Sequence, residues 1–349
     1  MVSSLSRHLG AHSRRAAVAA VLFVLILCSA VPASASSAKS VRVRVEGAGG
    51  TLFDSVRTVG ATTFTDSRGA SFDVTTGPTP LSALALAARL GGFPFLVKDY
   101  GSAIFVDSAN DEVPGPAPDY DGWMFRLNGS ETKPGNSGDY YSADSVALHA
   151  GDEVLWYYGA WDASPTVARP SSKLVRLGQS LKVTAEQLDQ HGVASPLAGA
   201  VVRVGSRVAT SAVNGAVSLP MTAVGDYGVR VEKAGCIRSA LVTVHVRKPA
   251  AFAGPAASAA VVPRGSSAVV SAVLSGGVSG LAGKSVRLWH RTAGTSVWVA
   301  GQVRNTRSAG AVRFTVAPSR SMYYRFAFAG DGTYAPCTSA SKLVTVAVR

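Results

Sequence analysis

The chain has 349 residues, 47% of them hydrophobic and only 16% charged, so it is long enough for two or three domains with their own cores and too apolar for intrinsic disorder. Its formal charge of +13 is uneven: residues 99–153 hold eleven acids against Arg126 and Lys133, a net −9, whereas residues 170–349 carry +16. Three cysteines without a C-x-x-C pair exclude a disulfide scaffold and a structural zinc site, and the polarised charge describes an acidic head on a basic stem rather than a nucleic-acid-binding protein.

At the N-terminus, Arg7, Arg14 and Arg15 precede an apolar run over residues 16–27, and Ala33-Ser34-Ala35 follows. A basic region, a short apolar core and an A-x-A site read as a secretory signal peptide over residues 1–35. The apolar run falls short of the roughly 20 residues that span a bilayer. With no second such run, no transmembrane segment is expected after cleavage. The mature protein is expected to be secreted, or extracellular and held at the cell wall, which leaves no role for nucleic acid as a partner.

The fold class expected is mainly β: an α+β, β-grasp-like N-terminal domain over residues 36–165, followed by Ig-like β-sandwich domains over 170–248 and 256–349. Val41, Val43 and Val45 alternate with polar residues as an opening strand. Residues 80–90 form the one strong helix candidate of the mature chain. Leu81, Leu84 and Ala88 share a face, Pro80 suits the first helical position, and Gly91 suits the C-cap. Strand signals follow at 103–106, 123–127 and 154–158, the middle one ending at Asn128-Gly129, a pair that favours a tight hairpin turn. Residues 163–172 and 247–258, rich in Pro and small side chains, read as linkers.

Beyond the first linker the sequence repeats itself. Leu197-Ala198-Gly199 and Val202-Arg203 are answered by Leu281-Ala282-Gly283 and Val286-Arg287 at the same offset, and Gly215-Ala216-Val217 by Gly310-Ala311-Val312. Short alternating stretches between glycine turns are the sandwich pattern. Gly225-Asp226-Tyr227 through Ile237-Arg238-Ser239 resembles bacterial Ig-like or carboxypeptidase-regulatory-like modules. Tyr323-Tyr324-Arg325-Phe326, with Gly330-Asp331 and Tyr334-Ala335-Pro336, is similar to the Ig-like modules of exported actinobacterial proteins. Cys236 and Cys337 occupy nearly equivalent places in the two copies. The sequence leaves open whether they form an inter-domain disulfide or remain two thiols.

Residues 41–160 resemble the transcobalamin C-terminal-domain-like family. The resemblance rests on Trp123, Asn128 and Gly129, then Leu148, Gly151, Asp152, Val154, Trp156 and Tyr158, which follow the pattern Trp-x-x-x-x-Asn-Gly … Leu-x-x-Gly-Asp-x-Val-x-Trp-x-Tyr. It implies a β-grasp fold in which most of these residues are structural, and a cobalamin-like ligand. The helical toroid against which such a domain closes over cobalamin has no counterpart here, and no resident cofactor is expected.

The remaining aromatics of this segment, Tyr140, Tyr141, Tyr157 and Trp161, fall on the opposite strand face or in loops. They are the candidate face for a small molecule or a cell-wall glycan. The acidic loops at Asn110-Asp111-Glu112 and Asp119-Tyr120-Asp121 lack the spaced ligands of an EF-hand, so no metal is expected. His149, His191, His245 and His290 are scattered, and no H-E-x-x-H, G-x-S-x-G or Walker motif occurs, so no catalytic residue is assigned. The expected function is a secreted or cell-envelope modular binding protein, non-catalytic, with the transcobalamin-like head as its binding unit. The alternative is a structural or adhesive envelope protein whose basic Ig-like domains hold anionic wall polymers.

Overall fold

The computed structural model describes residues 37–74, 77–101, 104–115, 121–131 and 143–347. The signal peptide expected at 1–35, and Tyr140 and Tyr141, lie outside the described residues. The described residues up to 162, with Gln190–Gly192, form one compact unit, and the others from 163 onward form a second.

In the first unit the strands are β1 (Lys39–Glu46), β2 (Thr51–Val59), β3 (Thr62–Thr65) and β4 (Ser71–Val74). The helix α1 (Pro80–Gly91) is followed by β5 (Phe95–Asp99), β6 (Ile104–Ala109), β7 (Gly122–Leu127) and β8 (Glu153–Gly159). The main sheet runs β2-β1-β8-β7, with β1 and β8 parallel at its centre and antiparallel neighbours outside them. First and last strands side by side, crossed by one helix, make the expected β-grasp arrangement. Val41, Val43 and Val45 from β1 and Val154 and Trp156 from β8 are buried in one core with Leu81, Leu84 and Ala88 of α1. The ribbons β3–β4 and β5–β6 stand apart from this sheet.

Local chemistry sets the ends of these elements. Thr79 caps α1 in a capping box with Ser82, and Pro80 occupies the first turn, where its missing N–H costs nothing. The helix runs through Gly91, and Gly92 is the left-handed cap, with φ 71° and its N–H on Ala88 O. The cap therefore sits one residue beyond the expected Gly91, because either glycine of the pair tolerates positive φ and the carbonyl of Ala88 selects the second. Asn128 and Gly129 both take positive φ, 53° and 84°, as a two-residue hairpin turn requires.

The second unit contains two β-sandwich modules, each with its own buried cluster. The two stretches read as linkers are strands. Ser164–Pro170 pairs antiparallel with Ser180–Leu188, and Ala251–Ala257 pairs with Ala268–Gly276. The first of the two sandwich modules thus includes Ser164–Pro170. Prolines are tolerated because Pro165 and Pro170 sit at the strand's ends and Pro255 lies where register breaks between Ala253 and Ala256. Thr166 is buried, its hydroxyl donating to the carbonyls of Val231 and Ile237, both at 3.0 Å.

The internal repeat extends to buried hydroxyl clasps. Ser211 Oγ donates to Leu197 O and accepts Ala200 N–H, while Thr306 Oγ1 donates to Leu281 O and accepts Lys284 N–H. Ser239 Oγ accepts Val231 N–H at 2.9 Å, and Ser339 Oγ accepts Phe326 N–H at the same distance. These four hydroxyls satisfy backbone groups at matching places in the two modules.

Cys236 and Cys337 are free thiols. Cys236 pairs along Ser164–Pro165, and Cys337 lies opposite Phe328 in the other module, so no disulfide joins them. Burial pushes the Cys236 thiol up, against a smaller opposing pull from Lys233, and pushes Cys337 up to about 11. At pH 8 such a Cys337 is roughly one part in a thousand thiolate. Iodoacetamide on native residues 36–349 should therefore label Cys337 far more slowly than a free thiol, and denaturant should release two alkylation sites by mass. A chain that takes up neither label without reductant would contradict the two-thiol state.

Candidate ligand-binding cleft

The motif residues of the first unit form a frame around the helix. Trp156 is 2% exposed and donates its indole N–H to Pro80 O at 2.9 Å, tying β8 to the first turn of α1. Leu148 N–H reaches Pro78 O, and Gly151 N–H, at φ 92°, reaches Ser40 O. Asn128 bridges the hairpin turn to the start of β8: its Nδ2 donates to Asp152 Oδ1 and its Oδ1 accepts Glu153 N–H. Trp123 donates to Glu112 O and Tyr158 to Val113 O. Val154 is buried among the residues that face the helix. Every polar group named here ends on a backbone or turn partner, so these residues hold the fold.

Of the candidate aromatic face, Tyr157 and Trp161 lie among the described residues, and they differ. Trp161 is 67% exposed, just beyond β8, but Tyr157 is fully buried. Tyr157 lies on the second face of the sheet with Arg44, Glu46, Arg126 and Leu155, and that face is buried as well. Arg126 Nη2 meets Glu131 Oε1 at 2.6 Å, the Tyr157 hydroxyl donates to the same oxygen at 3.4 Å, and Thr51 donates to both oxygens of Glu46. Burial pushes the Tyr157 phenol up to about 12, so it stays a neutral donor. Arg44 is pulled down by burial and held up in part by Glu46. Tyr157 therefore belongs to a buried polar layer rather than to a ligand surface. The signal that marks this is the unbroken apolar run Val154-Leu155-Trp156-Tyr157, which fits a strand covered on both faces.

A concave site is present elsewhere in the unit. Between α1 and the β3–β4 ribbon lies a cleft of about 610 Å³, within the size range of small-molecule sites. Its floor is apolar, with Val59, Ala85, Phe93 and Phe95 buried and Leu86 half-buried. Phe64 stacks on Phe72 at 5.5 Å and packs at a tilt on Phe95 at 5.4 Å, which fixes the ribbon wall. Thr58, Thr63 and Arg89 supply exposed polar groups at the rim.

Of the buried polar groups of the cleft, the Ser82 hydroxyl and Asp66 Oδ1 are engaged, whereas Asp66 Oδ2 makes no hydrogen bond. The Ser82 hydroxyl donates to Thr79 O and accepts Thr79 N–H, both at 2.8 Å. Asp66 Oδ1 accepts the N–H groups of Arg68 and Ala70, and Oδ2 faces Arg68 Nη2 at 3.5 Å. Burial raises this carboxyl, but those N–H groups and the nearby guanidinium outweigh it and hold the group below the usual carboxylate range. It stays ionised and offers no proton at neutral pH. Among the described residues no group of three or more His, Cys, Asp or Glu is placed to hold a metal ion, and no helix is long and apolar enough to cross a membrane.

No protein-family model and no curated protein matches the sequence. Among solved structures, the D0-D1 domain of intimin overlaps 52% of this chain and 97% of its own, at 8% identity and TM-score 0.23. The fibronectin(III)-like modules of Clostridium thermocellum CbhA overlap 52% and 94%, at 13% identity and TM-score 0.29. The native E. coli alpha-2-macroglobulin overlaps 88% of this chain and 18% of its own, at 12% identity and TM-score 0.32. Overlaps this loose identify neither a relative nor an activity, and the site stands on its own geometry.

Proposed function

We propose that this chain is an exported, non-catalytic modular binding protein of the cell envelope, whose transcobalamin-like first domain binds a small molecule in the cleft between α1 and β3–β4. The carrying observation is that cleft, with its apolar floor and hydroxyl-and-guanidinium rim. An apolar body with hydrogen-bond acceptors along one edge fits such a lining, and Arg89 favours a neutral or anionic ligand over a cation. The engaged Ser82 hydroxyl and the ionised state of Asp66 support binding rather than turnover. The leader over residues 1–35 supports export.

Isothermal titration of the exported chain with cobalamin, cobinamide and soluble wall-glycan fragments tests this. At least one probe should bind more tightly than about millimolar, equivalent to roughly −4 kcal/mol. Leu86→Trp, which fills the cleft from the helix side, should abolish that binding and leave the melting temperature in place. No heat from any probe, or binding untouched by Leu86→Trp, rejects the cleft as the site.

A further inference from the structure

The last module carries an ordered array of cations and aromatic rings on the outer face of one sheet. Along Ser285–Thr292, Val286 and Leu288 point into the core, which turns Arg287, Trp289 and Arg291 outward. Along Met322–Phe328, Tyr324, Phe326 and Phe328 are buried, which turns Tyr323 and Arg325 outward. The register sets Trp289 opposite Arg325 and Arg291 opposite Tyr323, so ring and cation alternate across the strands as well as along them. Trp298, next to the strand Val299–Asn305, completes the set.

The contacts run Tyr323–Arg291–Trp298–Arg325–Trp289, with guanidinium-to-ring distances of 4.4, 5.3, 4.1 and 5.9 Å. Each guanidinium lies by two rings, and Trp298 serves both. Arg325 Nε is buried and makes no hydrogen bond, and among the described residues no acid pairs with Arg291 or Arg325. Residues 256–349 contain eleven Lys and Arg but one acid, Asp331, which is taken by Lys284 Nζ at 2.6 Å. The array is therefore an uncompensated positive surface whose cations are held in place beforehand.

We infer that this outer face binds a linear polysaccharide whose charges are carboxylates. The rings lie against the guanidinium faces; Arg291 Nη1 donates to Thr295 O and Arg325 Nε is buried, which leaves one edge of each guanidinium for a planar, two-oxygen acceptor, the geometry a carboxylate presents. Trp289 and Tyr323 end the stack, each with one cation partner, and aromatic faces suit the apolar face of a pyranose. Alternating rings and cations thus match alternating sugar rings and carboxylates. Trp298, shared between the two guanidiniums, has no free face for a nucleic-acid base, so only the two end rings could stack one.

The test measures retention of the full exported chain on immobilised polygalacturonate, with dextran, a glycerol-phosphate polymer and duplex DNA in parallel. Polygalacturonate should be bound best and dextran not at all. Arg291→Gln with Arg325→Gln should weaken polygalacturonate binding by at least about tenfold. Arg264→Gln with Arg320→Gln, an equal charge change at exposed sites outside the stack, should weaken it much less. Arg291→Lys with Arg325→Lys keeps the charge and removes the fork, and should fall with the Gln pair. Circular dichroism confirms that each variant is folded. Equal loss in the two Gln pairs, full binding by the Lys pair, or a preference for the phosphate polymer or DNA overturns the assignment.

Discussion

Trp156→Ala is expected to destabilise the first unit by about 3–5 kcal/mol, the range for deleting a large buried aromatic. The indole is 2% exposed, its ring lies 5.1 Å from that of Phe125, and its N–H is spent on Pro80 O. Alanine leaves a cavity between sheet and helix and removes the indole tie to the first turn of the helix. Calorimetry of residues 36–349 should show one transition lowered by on the order of 10–20 °C, with the transitions of the sandwich modules unmoved. Trp156→Phe keeps most of the ring and loses the hydrogen bond, so it should cost only about 1–3 kcal/mol. Because Trp156 anchors the helix that walls the cleft, both variants should also weaken whatever the cleft binds. A shift of a few degrees for Trp156→Ala, or a shift shared by every transition, would show that the frame does not rest on this residue.

The frame was legible where side-chain chemistry dictates backbone geometry. Pro80, the Asn128-Gly129 pair and the alternation of Val41, Val43 and Val45 each have one economical solution, and the structure uses it. What was hidden depends on partners distant in sequence. Residues 164–170 and 251–257 look like linkers because Pro and small residues carry little strand propensity. Their pairing with Ser180–Leu188 and Ala268–Gly276 comes from the neighbouring strand, which propensity cannot register. Tyr157 misled for a related reason. Arg44, Glu46 and Arg126 alternate as a solvated face would, yet they are buried against one another and against Glu131 and Thr51. The cleft left no trace in sequence, since its walls come from α1, the end of β2, β3 and the segment after the helix.

The repeat, in contrast, was visible as spaced letters, and the structure supplies the reason for their spacing. Leu197-Ala198-Gly199 and Leu281-Ala282-Gly283 each present a leucine carbonyl to a hydroxyl, Ser211 or Thr306, and then turn at a glycine with φ 69° or 71°. Ser and Thr differ in name but perform the same clasp, which is why the match at 211 and 306 escapes comparison by identity.

Gly310→Ala is expected to be the most damaging small substitution in the last module. Gly310 sits at φ 75°, which costs an alanine about 1–2 kcal/mol by itself. A Cβ there would also lie 2.0 Å from Leu274 O and 2.8 Å from Leu281 N, both backbone atoms of elements that cannot yield separately. Its counterpart Gly215 has the same φ of 75°, and a Cβ would meet Ala185 O at 2.3 Å. Gly283, at φ 71° with nothing within 4 Å of a Cβ, isolates the conformational cost from the clash. Gly283→Ala should therefore lose about 1–2 kcal/mol. Gly310→Ala and Gly215→Ala should each lose more than about 4 kcal/mol, in the range reserved for broken cores. Hydrogen exchange followed by mass spectrometry separates the modules. Gly310→Ala should deprotect Ala268–Gly276 and Ala311–Val316, which pair beside it, and leave Ser180–Leu188 protected, while Gly215→Ala should do the reverse. If Gly310→Ala and Gly283→Ala exchange alike, the clash is relieved by the chain and the two glycines are not the fixed points that their recurrence in both copies implies.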